Sequence, residues 1–212
     1  MGFTNQLPRA ADFILSEANG ELSRQVVVIS ASAGILQAGQ LLSVLTAANA
    51  ATVTPKVGGN TGNGAVGTVT VSSEAITGTY VVRIIGAAAN GGEFEVIDPT
   101  GDTVGDGLVG EAFQAGGLSF TIADGSTDFA VGDAWNVAIK AGLGEYVAYD
   151  DDGTDDGRRT ASGVLYAAVD ATVHDVKATA IVRQAEVAGE LLIGLDAAGR
   201  VDLAANGVIV RE

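Results

Sequence analysis

The chain has 212 residues, a formal charge of −15, thirty glycines, 5% aromatics and no cysteine. That length carries one large domain or two small ones, each with its own core, and the abundance of Gly, Val, Thr and Ala favours short strands and turns over helices. The missing cysteines exclude disulfides, thiolate catalysis and cysteine zinc sites, and the acidity argues against nucleic acid, whose phosphates are bound through Lys and Arg.

The first twenty residues hold Phe3, Leu7, Phe13, Ile14 and Leu15 without a clean period. Ala10 to Ala18 fits a short helix stopped by Asn19-Gly20, since both residues accept a left-handed cap, and it fits an extended arm equally well. The start MGFTNQLPRAADF lacks the basic and apolar runs of a secretion signal, and no later apolar run is long enough to span a bilayer. Synthesis in the cytosol and no membrane partner are expected. Val26 to Ile29 is β-branched and continuous, which predicts a strand, and Ile35 to Leu45 supplies another after the turn Ala38-Gly39-Gln40.

From Thr52 the composition shifts to a glycine-rich run, VGGNTGNGAVGTVTV. Gly62-Asn63-Gly64-Ala65-Val66-Gly67 spells GxGxxG, but in a dinucleotide site those glycines follow a strand and open a helix. Here the strand-like stretch Thr68 to Ser72 follows, so a turn or linker is expected and no cofactor. Tyr80 to Ile85, Glu93 to Ile97, Leu118 to Ile122 and Trp135 to Ile139 read as strands separated by Asn-Gly-Gly, Asp-Pro-Thr-Gly and Asp-Gly turns. They predict a compact β sandwich or barrel filled by Phe94, Phe120, Phe129 and Trp135. A sugar-binding face built from the same aromatics is the rival reading.

After Leu143 the expected strands are Glu145 to Tyr149, Gly163 to Asp170 and Val176 to Arg183. In the last, Val176, Ala178, Ala180 and Val182 alternate with Lys177, Thr179, Ile181 and Arg183, the period of a strand with one buried face. The loop Asp150 to Gly157 suggests calcium, but a count from Asp152 puts Thr154 at the third position of an EF-hand and Gly163 at the twelfth, so a solvated turn without metal is expected. His174, the sole histidine, adjoins Asp175 with no GxSxG nucleophile anywhere in the sequence, and nothing singles out a carboxylate pair, so no catalytic residue is expected. Glu190 to Leu195 is an apolar run. Asp196 is the expected N-cap of a short helix to Ala205 ended by Asn206-Gly207, and Val208 to Val210 the closing strand.

The order of these stretches resembles the head decoration proteins of lambda-like tailed phages. The likeness rests on the tyrosine and Asp/Gly-rich loop, Gly163-Val164-Leu165, the Val169-Asp170 step and the alternating strand after it. It rests also on Phe13 to Gly20, Ser23 to Val28, Leu36 to Leu42 and Asn206 to Arg211. It covers residues 1–51 and 143–212. The resemblance implies a mainly β fold, an α+β core with little helix, in which residues 52–142 are an inserted β domain. It implies a structural virion protein, made in the host cytoplasm, that sits as a homotrimer on the outer capsid surface, binds the major capsid protein and stabilises the head after expansion and DNA packaging. It also implies that an N-terminal arm, about residues 1–20, engages the capsid; the arm is nearly uncharged and carries Phe3, Leu7, Phe13, Ile14 and Leu15 in a pattern that would not bury itself on its own core, so these are the expected contacting side chains. Residues 1–51 carry two arginines against three acids, whereas 52–142 and 143–212 each sum to −7. A β-rich adhesin or carbohydrate-binding module using the aromatic face of the insert is the alternative, and the missing secretion signal counts against it.

Overall fold

The computed structural model describes residues 8–31, 33–72 and 74–212. Strand accounts for 47% and helix for 6%. In chain order the elements are β1 (Ile14–Glu17), β2 (Arg24–Ile29), β3 (Gly34–Leu36), β4 (Leu41–Val44), β5 (Ala50–Pro55), β6 (Ala65–Val66), β7 (Thr70–Val71), β8 (Gly78–Ala88), β9 (Gly91–Ile97) and β10 (Thr103–Leu108). There follow β11 (Ala112–Ala115), β12 (Leu118–Ala123), β13 (Ala134–Lys140), β14 (Tyr146–Ala148), β15 (Ala161–Leu165), β16 (Val169–Ala171), β17 (Val176–Ile181), β18 (Ala185–Ala188), α1 (Ala197–Ala205) and β19 (Val208–Arg211). The chain divides into two compact units, Met1–Ala47 with Leu143–Glu212, and Ala48–Gly142.

The first unit is built on a closed barrel, in the order β14-β2-β17-β15-β4. Val27, Ile29, Leu42, Leu165 and Ala180 form one core, joined by Leu36 and Ala171 from the β3–β16 pair. A second core gathers Leu41, Val164 and Ile181 with Phe13, Val187 of β18, Leu203 of α1 and Val208 of β19. Leu41-Leu42, Val164-Leu165 and Ala180-Ile181 are therefore neighbours in sequence that are both buried, one in each core. Side chains alternate across a strand, so consecutive burial means that both faces are covered. This corrects the one-faced reading of Val176 to Arg183. The stretch Gly163 to Asp170 is likewise two strands, because β15 pairs in the barrel while β16 leaves it to pair with β3.

Outside the barrel, β18 lies between β1, antiparallel, and β19, parallel. Ala10 to Ala18 is therefore no helix: its second half is a sheet strand. Helix α1 is capped as expected, with the Asp196 carboxylate accepting from Gly199 N at 2.6 Å. Tyr149 Oη donates to the same carboxylate at 2.9 Å, and burial together with Asp196 pushes its phenol well above the ordinary range. A Cβ on Gly199 would lie 2.9 Å from Leu41 Cδ2, so glycine here lets α1 pack closely on the barrel.

In the second unit a five-stranded sheet, β10-β9-β8-β13-β5, and a four-stranded one of β11, β12, β6 and β7 share one core. Phe94, Phe113 and Phe120 cluster with ring centroids 5.0 to 5.9 Å apart, and Phe129 meets Trp135 edge-on at 5.3 Å. Phe94, Phe120, Phe129 and Trp135 are all buried. That removes the aromatic face on which the carbohydrate-binding alternative depended: these rings are part of the unit's buried core. Its first and last strands are neighbours, with β5 antiparallel to β13 from Ala50↔Lys140 to Pro55↔Trp135.

Candidate functional site

The N-terminal segment joins the first unit through a short, heavily bonded base. Ala11 sits in the left-handed region at φ 66°, its N–H donating to Tyr166 O at 3.0 Å and its carbonyl accepting from Ile14 N at 3.0 Å. This turn drives Phe13 into the outer core, where it is 1% exposed, and its carbonyl accepts from Ala188 N at 2.8 Å. Ile14, half-buried, pairs with Val187, and Leu15 is 56% exposed. Beyond β1, the Ala18 N–H donates to Ser23 Oγ at 3.0 Å and to Gln184 O at 3.2 Å, and Ser23 Oγ in turn donates to Gln184 O at 2.8 Å. Arg24 Nε donates to Glu17 at 2.9 Å while its guanidinium lies 4.7 Å from the Tyr166 ring centre, and Arg24 holds the Glu17 carboxyl below its usual range. A cleft of about 470 Å³ opens beside this base, with Pro8, Arg9 and Asp12 on one side and Leu191 to Ile193 on the other.

Of the five arm side chains singled out in the sequence, Phe3 and Leu7 lie outside the described residues. The other three are placed differently from one another: Phe13 in the core, Ile14 at the core's margin, and Leu15 turned to the surface. No sequence signal marked Phe13 as a core residue, because its partners Val187, Leu203 and Val208 lie far along the sequence.

The remaining sequence motifs have structural roles. In the aspartate loop Asp156 is buried and receives Arg158 through Nε at 2.8 Å and Nη2 at 2.9 Å, while its carbonyl accepts from Thr46 and Ala47. Gly157, at φ 108°, passes so close to Val44 O that a Cβ would come within 2.2 Å of it. The loop thus fastens the end of β4, a role that nothing in the sequence pattern marked. Among the described residues no group of three or more His, Asp or Glu side chains is disposed to hold a metal ion. Asp175, beside His174, accepts from Ala31 N at 2.7 Å. Burial pushes the nearby Glu145 carboxyl up, a bond from Ser30 opposes that, and Asp175 adds to it.

The GxGxxG run is packing rather than a phosphate cradle. A Cβ on Gly62 or Gly64 would fall 2.4 or 2.3 Å from the Phe129 ring. The buried Asp133 carboxylate accepts from Thr61 N at 2.8 Å, Gly62 N at 2.9 Å, Ala130 N at 3.1 Å and Lys56 Nζ at 3.2 Å. Nothing in the one-dimensional pattern identified Asp133 as the centre of this loop.

The family model described as bacteriophage lambda head decoration protein D matches residues 3–208, a span that includes the middle of the sequence. No curated protein matches. Among solved structures, two crystal forms of Xanthomonas campestris FlgL are 22% and 23% identical, cover 49% and 48% of this chain and 33% and 32% of theirs, and have TM-scores of 0.34. The flagellar hook junction protein FlgK from Burkholderia pseudomallei is 20% identical over 63% of this chain and 23% of its own, with a TM-score of 0.31. The chain thus spans a third or less of the length of those flagellar proteins.

Proposed function

We propose, because the chain belongs to the family of bacteriophage lambda head decoration protein D, that it binds the outer surface of the mature phage head as a homotrimer and stabilises it after expansion and DNA packaging. The family's role is structural and capsid-associated rather than enzymatic. The match over residues 3–208 carries this reading. The partner is the major capsid protein, and the protein is made in the host cytoplasm before it joins the virion. A protein that gains its docking surface only on the expanded lattice stabilises that lattice by mass action, and three linked copies add avidity.

In this reading the N-terminal segment is the docking element. Phe3 and Leu7 supply apolar contacts and Leu15 an exposed one, while Phe13 and Ile14 fasten the base to the core. Such a segment adds a strand to a neighbour's sheet edge, with main-chain hydrogen bonds giving affinity and alternate side chains filling pockets. Residues 48–142 are an inserted domain. The pairing of Ala50 with Lys140 supports this, because an insertion whose ends are adjacent disturbs its host loop little.

The test is co-sedimentation and electron microscopy of purified protein with expanded and unexpanded heads. Density at threefold positions of expanded heads alone is expected, and its loss on deletion of residues 2–7 with the melting temperature unchanged. Equal binding to both kinds of head refutes the reading of function. Full binding by the truncated protein moves the docking surface to the folded unit.

A further inference from the structure

Four Asn-Gly pairs occur in the sequence, at Asn19-Gly20, Asn63-Gly64, Asn90-Gly91 and Asn206-Gly207. With no Cβ beside it, the backbone nitrogen of a glycine is open to approach by the amide carbon of a preceding asparagine. The approach requires both groups to be unbonded and the intervening backbone to be free to rotate.

Three of the pairs are held. Asn63 Nδ2 donates to Ser126 Oγ at 2.9 Å and its Oδ1 accepts from Thr127 N at 2.9 Å, while Gly64 is wedged on Phe129. Asn206 Nδ2 donates to Ala161 O at 3.3 Å and Asp202 O at 3.2 Å, and Gly207 N donates to Ala204 O at 3.0 Å. Asn90 carries no side-chain bond among the described residues, but its backbone is fixed: it sits at φ 54° in the β8–β9 turn, its N donates to Asp128 Oδ1 at 2.9 Å, and Gly91 opens β9 in register with Ala88. Asn19-Gly20 differs. Both residues are exposed in the loop between β1 and β2, and neither has a backbone or side-chain hydrogen-bond partner among the described residues, whereas each of the other pairs is bonded through at least its backbone.

We propose that Asn19 is a site of spontaneous modification, converted through a succinimide to aspartate and isoaspartate in the folded protein. The deprotonated Gly20 nitrogen attacks Asn19 Cγ and forms a new bond to it. The Asn19 Cγ–Nδ2 bond breaks, and the amide nitrogen leaves as ammonia. Water then opens the ring at either carbonyl, so the net change is the replacement of an amide by a carboxylate with no oxidation or reduction. The new charge lies between Glu17 and Glu21, and Glu17 is the carboxylate that Arg24 binds. Ring opening at the backbone carbonyl also lengthens the backbone by one carbon, in the loop whose ends are tied together by Ala18, Ser23 and Gln184.

The proposal is tested by ageing the whole protein at mildly alkaline pH and following tryptic peptides 10–24, 57–83, 84–140 and 201–211 by mass spectrometry, since each contains one of the four pairs. Peptide 10–24 is expected to gain about one dalton at least about tenfold faster than the others, the factor that one or two hydrogen bonds impose when they must break first. In denaturant the four rates converge, and the Asn19→Ser protein lacks the early acidic species on ion exchange. Native conversion at Asn63, Asn90 or Asn206 as fast as at Asn19 overturns the proposal, and so does a native Asn19 rate no faster than theirs.

Discussion

Replacing Asp133 tests whether one buried carboxylate organises the glycine-rich run of the second unit. Its side chain is 1% exposed and is met by three backbone N–H groups and Lys56. Burial alone would raise its pKa. The bonds from Gly62, Thr61, Ala130 and Lys56 outweigh that and lower it from 3.8 to about 2. Each pKa unit is about 1.4 kcal/mol, so the ionised form contributes about 2.5 kcal/mol to folding at neutral pH. Because the folded value is the lower one, the contribution is complete above the unfolded pKa and fades as pH falls through the folded one: roughly half remains near pH 3 and little near pH 2. Trp135, the sole tryptophan, lies on Phe129 in the same unit, so its fluorescence reports this unit's urea unfolding. Asp133→Asn is expected to lower the midpoint by about 2 M urea at pH 7, taking a slope near 1.2 kcal/mol per molar, and Asp133→Ala by more, since three N–H groups lose their acceptor. The gap between wild type and Asp133→Asn should close as the pH is lowered towards 2. A midpoint unchanged at pH 7, or a gap that persists undiminished at pH 2, refutes the assignment of that stability to the ionised carboxylate.

Gly64→Ala places a methyl 2.3 Å from Phe129 Cζ and 2.4 Å from Ala123 O, and should cost the second unit about 1–3 kcal/mol in the same fluorescence assay; a neutral result means that the loop moves aside freely. Phe13→Ala empties a fully buried site in the first unit, and a loss of about 3–5 kcal/mol is expected by circular dichroism with the Trp135 transition unmoved; a shift of that transition shows that the units unfold together. Exchange of residues 48–142 for a short Gly/Ser linker should leave a soluble protein with its oligomeric state intact by light scattering, and an insoluble product contradicts the insertion reading.

The strands legible in the sequence are those with large side chains at alternate positions. Tyr80, Val82 and Ile84 of β8, and Trp135, Val137 and Ile139 of β13, announce both the strand and its buried face. β10 could not be read that way. Its sequence is Thr-Val-Gly-Asp-Gly-Leu, and glycine and aspartate disfavour strands. It is a strand because β9 pairs with it and because its glycines leave room for rings: a Cβ on Gly107 would fall 2.4 Å from Phe94 Cζ. The barrel was hidden for another reason. Alternation of Ala, Thr and Val looks the same whether a strand has one covered face or two, and only the tertiary partners of Ala180 and Ile181 decide it. At the candidate site, apolar character was visible in Phe13, Ile14 and Leu15, but the division into anchor and surface came from a turn at Ala11 that alanine rarely makes.

The adjacency of Ala50 and Lys140 also bears on the order in which the molecule assembles. The barrel needs β2 and β4 to find β14, β15 and β17, which emerge from the ribosome only after the whole intervening segment has been made. Joining strands across a long flexible loop is entropically costly and slows folding. Once β5 and β13 are paired, the same segment behaves as a clip that holds residues 47 and 143 near one another, and the effective loop shrinks from nearly a hundred residues to a handful. By the logarithmic dependence of closure entropy on loop length, that contraction lowers the cost of closing the barrel by about 2–3 kcal/mol. The second unit, finished first during synthesis, therefore acts as a folding template for a barrel whose halves lie at opposite ends of the sequence.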